Sequence, residues 1–225
     1  MKYKIEIFDN HLILLYKDSR FLIDTGSPIT IANLNEIEIF GSNYKTTQNY
    51  LGTNINGLSE SIGTSIDALV GGDILKHHQF QIDFNNQSFS IGDSISSENS
   101  NSINIDSFMD IPIIEIMINE ESIRAFLDTG AKLSYINRNF VNNLTPIDER
   151  EDFYPTVGTF KTFIYEFPVI FNDQELNLKF GVLPASLEMA LSMGDSKAII
   201  GNDIFSYFTI TFNYSNKILQ TTAST

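Results

Sequence analysis

The sequence predicts an all-β protein made of two pseudo-symmetric lobes, barrel-like and with few short helices, and with a cleft between them. Three observations carry this expectation. The 225 residues include eighteen Phe and nine Tyr but no Trp and no Cys, a composition that suits pleated, half-buried surfaces. Apolar residues come in short runs or strict alternation, broken by Asn, Asp and Gly turn signals. Three phrases also occur twice, in the same order, once in each half of the chain.

From the start, Lys2 to Ile7 and His11 to Tyr16 read as strands about a turn at Asp9-Asn10. Lys17-Asp18-Ser19 turns the chain into Phe21-Leu22-Ile23, an apolar run ending in Asp24-Thr25-Gly26-Ser27. The expectation is of no separate propeptide before Asp24. After Pro28, Ile29 to Ile31 and Ile37 to Phe40 are β-rich, residues 41–57 are polar, and Leu58 to Ile62 suits a short helix. Leu69-Val70-Gly71-Gly72-Asp73-Ile74-Leu75 is a strand running into glycine, and Phe80, Ile82 and Phe84 alternate before Asn85-Asn86.

Residues 94–106 are rich in Ser and Asn without a sustained period, the composition of a linker. It would divide the chain into a lobe of residues 1–93 and a lobe of residues 107–225. The second lobe opens with Ile111 to Ile118, turns at Asn119-Glu120-Glu121 and reaches Asp128-Thr129-Gly130-Ala131 through Ala125-Phe126-Leu127. Asn137 to Leu144 has helical character, and Val169–Phe171 with Leu176–Phe180 forms a hairpin about Asn172-Asp173-Gln174. Ser186 is placed to cap a helix from Leu187 to Met193, with Gly194 as its stop. Ile199-Ile200-Gly201-Asn202-Asp203-Ile204-Phe205 then restates the glycine phrase, and Phe208, Ile210 and Phe212 alternate again.

The repeat extends to Arg20 and Arg124, each four residues before its Asp. The spacing differs: Asp24 to Gly71 is 47 residues and Asp128 to Gly201 is 73, so the second half holds about 26 residues without a counterpart.

Composition also excludes. A net charge of −14 argues against nucleic acid and anionic membrane surfaces. No apolar run approaches the ~18–20 residues that span a bilayer, and the Met1 end lacks a signal-peptide pattern, so a cytoplasmic location is expected. Without Cys there are no disulfides, thiolate metal sites or Cys nucleophiles. His11 and the pair His77-His78 lack an acidic cluster at ligand spacing, so neither metal nor cofactor is expected. Lys132 reads as a solvated cation, and Asp73 and Asp203 read as caps of the short helices after each glycine.

A carboxylate at the end of a buried strand is costly unless donors or a use for its charge offset the desolvation. Two in the same local phrase, Asp24 and Asp128, point to halves that bring their acids together. Such a pair shares a proton and so offers a base beside an acid, able to activate water without metal or covalent intermediate.

These phrases resemble the aspartic peptidases. Asp-Thr-Gly twice in one chain is similar to the pepsin arrangement of two fused lobes. Leu69 to Leu75 and Ile199 to Phe205 resemble the Ile-Gly-x-Asp phrase of retropepsins. The whole looks like a single-chain, tandem retropepsin-like protease, with the resemblance covering nearly everything outside the linker. It implies an aspartic endopeptidase acting on extended peptides with apolar side chains about the scissile bond, monomeric because both acids lie in one chain. Asp24 and Asp128 would be the dyad, and Thr25 and Thr129 would interlock across the interface. Gly26 and Gly130 would let backbone N–H groups reach the carboxylates, while Gly71 and Gly201 let a strand pass beneath each loop. Ser27 would hydrogen-bond its own Asp where Ala131 cannot, making Asp24 the more readily ionised member. A six-stranded sheet or its remnant would lie beneath.

The first interval is too short for a comfortable flap hairpin, so the flap is expected from the second lobe, within Phe153 to Phe160. Tyr154, Val157, Gly158 and Thr159 would be its substrate-facing residues. The reduced first-lobe flap and Ala131 leave open an alternative, a catalytically weak or inactive peptide-binding protein of the same fold.

Overall fold

The structure, a computed structural model, describes residues 1–92, 95, 100–155 and 157–224. The short apolar runs fold as hairpins because their turns supply residues that take positive φ. Asp9 (44°) and Asn10 (63°), Asn119 (51°) and Glu120 (66°), and Asn172 (48°) and Asp173 (60°) all sit between paired strands. Two successive positive-φ residues match the twist of a tight hairpin and fix its register. Met109 (52°) and Asp110 (65°) do the same without a Gly or Asn to announce it.

Among the described residues the strands form a ten-stranded sheet, an eight-stranded sheet and a two-stranded hairpin, Glu36–Ile39 with Ser42–Lys45. The written repeat folds as a repeat. Ser19–Ile23 runs parallel to Ala68–Val70, with Ile31–Ala32 antiparallel on the far side. Glu121–Leu127 runs parallel to Ala198–Ile200, with Ser134–Ile136 antiparallel beyond it.

The halves share one sheet. Six consecutive strands of the larger sheet are Asn101–Asn104, Ile218–Ala223, Phe208–Asn213, Gln79–Asp83, Ser88–Ile91 and Lys2–Phe8. The seam is Phe208–Asn213 against Gln79–Asp83, where the Phe80 ring stacks on Phe212 at 4.6 Å and on Phe89 at 5.3 Å. The end of the chain is therefore built into the sheet that begins with Lys2.

Part of the expected linker is corrected here. Asn101–Asn104 is an edge strand on Ile218–Ala223, and Asp106–Phe108 pairs with Ile111–Ile118. Small polar residues on an exposed edge strand compose like a linker, although their backbone is paired. Residues 94 and 96–99 of that stretch lie outside the described residues.

Among the described residues the α-helices are three. Ile55–Ile62 is capped by the Asn54 side chain, which accepts from the Gly57 N–H, and Gly72–Leu75 is a single turn. Ala185–Met193 starts after Pro184 with no side-chain cap, so Ser186 lies inside the helix and does not cap it. Pro184 is the N-cap, and its carbonyl accepts from the Leu187 (2.9 Å) and Glu188 (3.2 Å) N–H groups. The Asn137 to Leu144 stretch holds a short 3-10 turn, Arg138–Phe140. No helix among the described residues is long and apolar enough to cross a membrane.

The extra length of the second half lies between Asp128 and Gly201. Asp148–Tyr154 pairs with Gly158–Phe171 as a long hairpin, and the second strand goes on to pair with Gln174–Val182.

Candidate active site

Each half delivers its Asp from a buried strand end. Ile23 and Leu127 are fully buried, and the next residue donates its N–H to the neighbouring parallel strand: Asp24 to Val70 O (3.0 Å), Asp128 to Ile200 O (2.9 Å). Beyond that point the ladder ends, and the side chains turn to the opposite half.

Thr25 and Thr129 make that turn rigid. The Thr25 N–H donates to Thr129 Oγ1 (3.0 Å) and the Thr129 N–H to Thr25 Oγ1 (3.0 Å). Thr25 Oγ1 donates to Leu127 O (2.7 Å), and Thr129 Oγ1 donates to Ile23 O (2.8 Å). Both side chains are fully buried, so these bonds have no competition from water.

The glycines bring the carboxyls together. Gly26 and Gly130 donate N–H bonds to Asp24 Oδ1 (2.9 Å) and Asp128 Oδ1 (2.8 Å) respectively. Each glycine also abuts the other half's acid. A Cβ on Gly26 would stand 2.1 Å from Asp128 Cγ, and one on Gly130 would stand 2.4 Å from Asp24 Cγ. Beneath, Gly71 and Gly201 admit the passing loops: a Cβ would lie 2.8 Å from Ile29 C and 2.6 Å from Ala131 O.

Asp24 and Asp128 lie close enough to couple electrostatically. Burial pushes both pKa values up, and Asp24 is raised further by the charge of Asp128. Backbone N–H groups of Gly26 and Ser27 act against this at Asp24, and those of Gly130, Ala131 and Gly26 at Asp128. The pair retains a proton and titrates as a unit.

One expectation is corrected, and another loses its basis. The Ser27 hydroxyl donates to Ile29 O (2.8 Å) and makes no bond to Asp24. That carbonyl, two residues on, is an acceptor inside its own turn. The basis for making Asp24 the more acidic member is therefore gone, and burial raises both carboxyls. Ser27 and Ala131 instead contribute alike, through their backbone N–H groups.

Asp73 and Asp203 lie inside the short helical turns and do not cap them, since Gly71 and Gly201 are the N-caps and no side chain caps either turn; their carboxyls tie loops instead. Asp73 accepts from the Thr30 N–H (3.1 Å) and hydroxyl (2.6 Å), and Asp203 accepts from the Ser134 hydroxyl (2.6 Å). Thr30 and Ser134 in turn accept from the N–H groups of Gly71 and Gly201, each at 3.0 Å. The glycine phrase thus supports the loop that carries its own half's carboxyl.

The dyad opens on a cleft of about 400 Å³ lined by both halves. The Asp148–Tyr154 and Gly158–Phe171 hairpin contributes Tyr154 and Thr159 to its lining, together with Phe153 and Phe160. Tyr154 faces the dyad: burial and the charges of Asp128 and Asp24 push its hydroxyl up to about 12, so it remains a donor. Val157 and Gly158 make the tip of the hairpin and do not line the cleft. Val157 donates its N–H to Tyr154 O (3.0 Å), and Gly158 takes a φ of 81°. Thr156 lies outside the described residues. Residues 41–57 give no comparable hairpin. They close on a small turn in which Tyr50 and Thr53 bridge, and both of these line the cleft.

Several residues at the site carried no repeated phrase to mark them. Lys132 is not a free surface cation: its side chain is 21% exposed and pairs with Asp9 (3.0 Å) and Asp152 (3.9 Å). Asp152 also accepts from the Tyr135 hydroxyl. Asn10 Nδ2 donates to Lys132 O (2.6 Å), and Asn202 Nδ2 donates to Asn10 O and Thr129 O, both 2.8 Å. The first hairpin turn is thereby docked on the second Asp loop. The one signal for this in the sequence was Asn202 where the first glycine phrase has Gly72. Among the described residues no group of three or more His, Cys, Asp or Glu is arranged to hold a metal ion.

No family model and no curated protein sequence matches the chain. Solved structures similar to it include the simian foamy virus protease, at 13% identity over 40% of this chain and 88% of that one, TM-score 0.32. A retropepsin-like aspartic protease from Rickettsia conorii is 16% identical over 56% of this chain and 94% of its own, TM-score 0.38. The EIAV protease, solved with the inhibitor HBY-793, is 20% identical over 42% of this chain and 84% of its own, TM-score 0.31.

Proposed function

We propose that this protein is a single-chain, retropepsin-like aspartic endopeptidase, with Asp24 and Asp128 as its catalytic pair. The observation that carries the reading is the reciprocal packing of the two Asp loops, in which each glycine touches the opposite carboxyl. A fold needs no such arrangement for stability, because two buried acids pressed together oppose it.

In this reading the ionised carboxylate takes a proton from a water held between the acids, while the protonated partner hydrogen-bonds the substrate carbonyl. As the water oxygen attacks, the partner gives its proton to the carbonyl oxygen, forming a tetrahedral diol; when the C–N bond breaks, the base passes its proton to the leaving nitrogen and a diol hydroxyl returns one to the partner. Tyr154, protonated and facing the pair, closes the site from the hairpin side. The Asp148–Tyr154 strand stands at the end of its sheet, so its outer backbone groups suit an extended peptide added as a further strand. Apolar walls on both sides of the dyad favour apolar side chains about the scissile bond. One chain supplies both acids, so a monomer suffices.

The test is incubation with a diverse peptide library between about pH 3 and 7. Wild type should cleave, while Asp24→Asn and Asp128→Asn, both folded, should not. Binding of peptides without cleavage at any pH would favour an inactive peptide-binding protein of this fold.

A further inference from the structure

The floor of the cleft has an apolar patch on either side of the dyad. On one side stand Leu22, Ile31, Leu58 and Leu69, and on the other Phe126, Leu183, Leu187 and Leu191. Adjacent residues of a strand point to opposite faces, and the hairpin uses this to serve both patches. Phe153 packs on the first, while Tyr154 and Phe160 pack on the second.

The patches are not built alike. Among the described residues, everything packed in the second comes from residues 108–199, its own half. The first draws on residues 8–69 and, from the other half, Phe153. That ring is held from outside the patch it completes. Asp152, immediately before it, is bound by the Tyr135 hydroxyl and faces Lys132 at 3.9 Å, with its side chain 11% exposed.

We infer that Phe153 is a specificity-determining residue that walls the first-half subsite and limits the size of the side chain accepted there. The inference rests on the peptide-cleft reading above. The second-half subsite is set independently, by Phe160 and residues of its own half. The two subsites flanking the reacting bond therefore have separable selectivities, although one hairpin reaches into both. A change of even one methylene in an apolar pocket alters selection about 10–200-fold, and loss of a phenyl ring is larger than that in volume.

The experiment has two arms. Random peptides are displayed and selected on immobilised Asp24→Asn protein, with Phe153 intact, as Phe153→Ala or as Phe160→Ala. The active forms of the same three proteins are profiled by library cleavage. Phe153→Ala should enrich large aromatic side chains at least about tenfold at one position and leave the position across the bond unchanged. Phe160→Ala should do the converse. Phe153→Ala peptides that match the wild-type selection, or that change at both positions, overturn the inference, as does failure of the intact protein to select any peptide. A shift in selection without cleavage by the active forms leaves Phe153 in this role and overturns the proteolytic reading alone.

Discussion

Thr25 and Thr129 hold each other's backbone across the centre of the molecule, each hydroxyl accepting the other's N–H at 3.0 Å. Each hydroxyl also donates to the carbonyl before the opposite Asp. Neither half can therefore place its carboxyl without the other. Thr25→Val or Thr129→Val leaves buried N–H and C=O groups unpaired, and each such group costs about 1–3 kcal/mol. Either variant should lose about 2–4 kcal/mol in urea unfolding. The double variant should lose less than the sum, because both changes break one reciprocal motif. Strict additivity would show that the two hydroxyls act separately.

Gly26 is where geometry leaves least room. A methyl there meets Asp128 Cγ at 2.1 Å, so Gly26→Ala should displace the acid and reduce peptide cleavage by about 10²-fold or more. Gly57 is the control, since a Cβ there meets its nearest neighbour, Asn54 Oδ1, at 3.7 Å inside a helix. Gly57→Ala should retain activity and gain about 0.5–1 kcal/mol of stability.

Asp203 gives a pH signature for the fold. Burial raises its pKa from an ordinary 3.8 to about 6 against the opposing bond from Ser134. Between those values the folded protein binds the proton that the unfolded chain releases. Stability from this group is therefore full below about pH 4 and declines as pH rises to about 6. Asp203→Asn should remove the decline, so that its stability relative to wild type improves by about 3 kcal/mol between pH 4 and 7. Chemical denaturation at a series of pH values measures this. A difference that stays flat with pH would mean that Asp203 is ionised throughout.

The hairpin over the cleft is fixed at Asp152. Replacing Tyr135 by Phe removes the hydroxyl that Asp152 accepts from, and the fixing of Phe153 and Tyr154 weakens with it. Hydrogen exchange of the 148–154 amides should quicken about tenfold, for about 1.4 kcal/mol of lost protection. Exchange in Ser19–Ile23, across the molecule, should stay as it was.

Much of this design was legible because it was written twice. Two Asp-Thr-Gly loops, two glycine phrases and two alternating strands identified the acids, the glycines and the β architecture. The longer second interval is taken up in part by the Asp148–Tyr154 and Gly158–Phe171 hairpin. What was missed or misread was not repeated. Lys132, Tyr135, Asp152 and Phe153 belong to the inserted hairpin or its supports, with no twin in the first half to mark them. The Ser27 hydroxyl misled because its identity gives its capacity to bond but not its direction, and it turns to Ile29 O. Asn101–Asn104 read as a linker because an edge strand owes its order to backbone pairing with Ile218–Ala223, which composition does not encode.

The proposed function has Asp24 and Asp128 share a proton and together hydrolyse peptides. Its most direct test is kcat/KM for one library-derived peptide, measured from about pH 3 to 8 on wild type, Asp24→Asn and Asp128→Asn. The expected result is a bell for wild type, falling on the acid side as the pair gains its second proton and on the alkaline side as it loses its first. Each variant should fall by about 10²–10⁴-fold at every pH while remaining folded. Cleavage by either variant at the wild-type rate, or a wild-type rate with no alkaline limb, would contradict it.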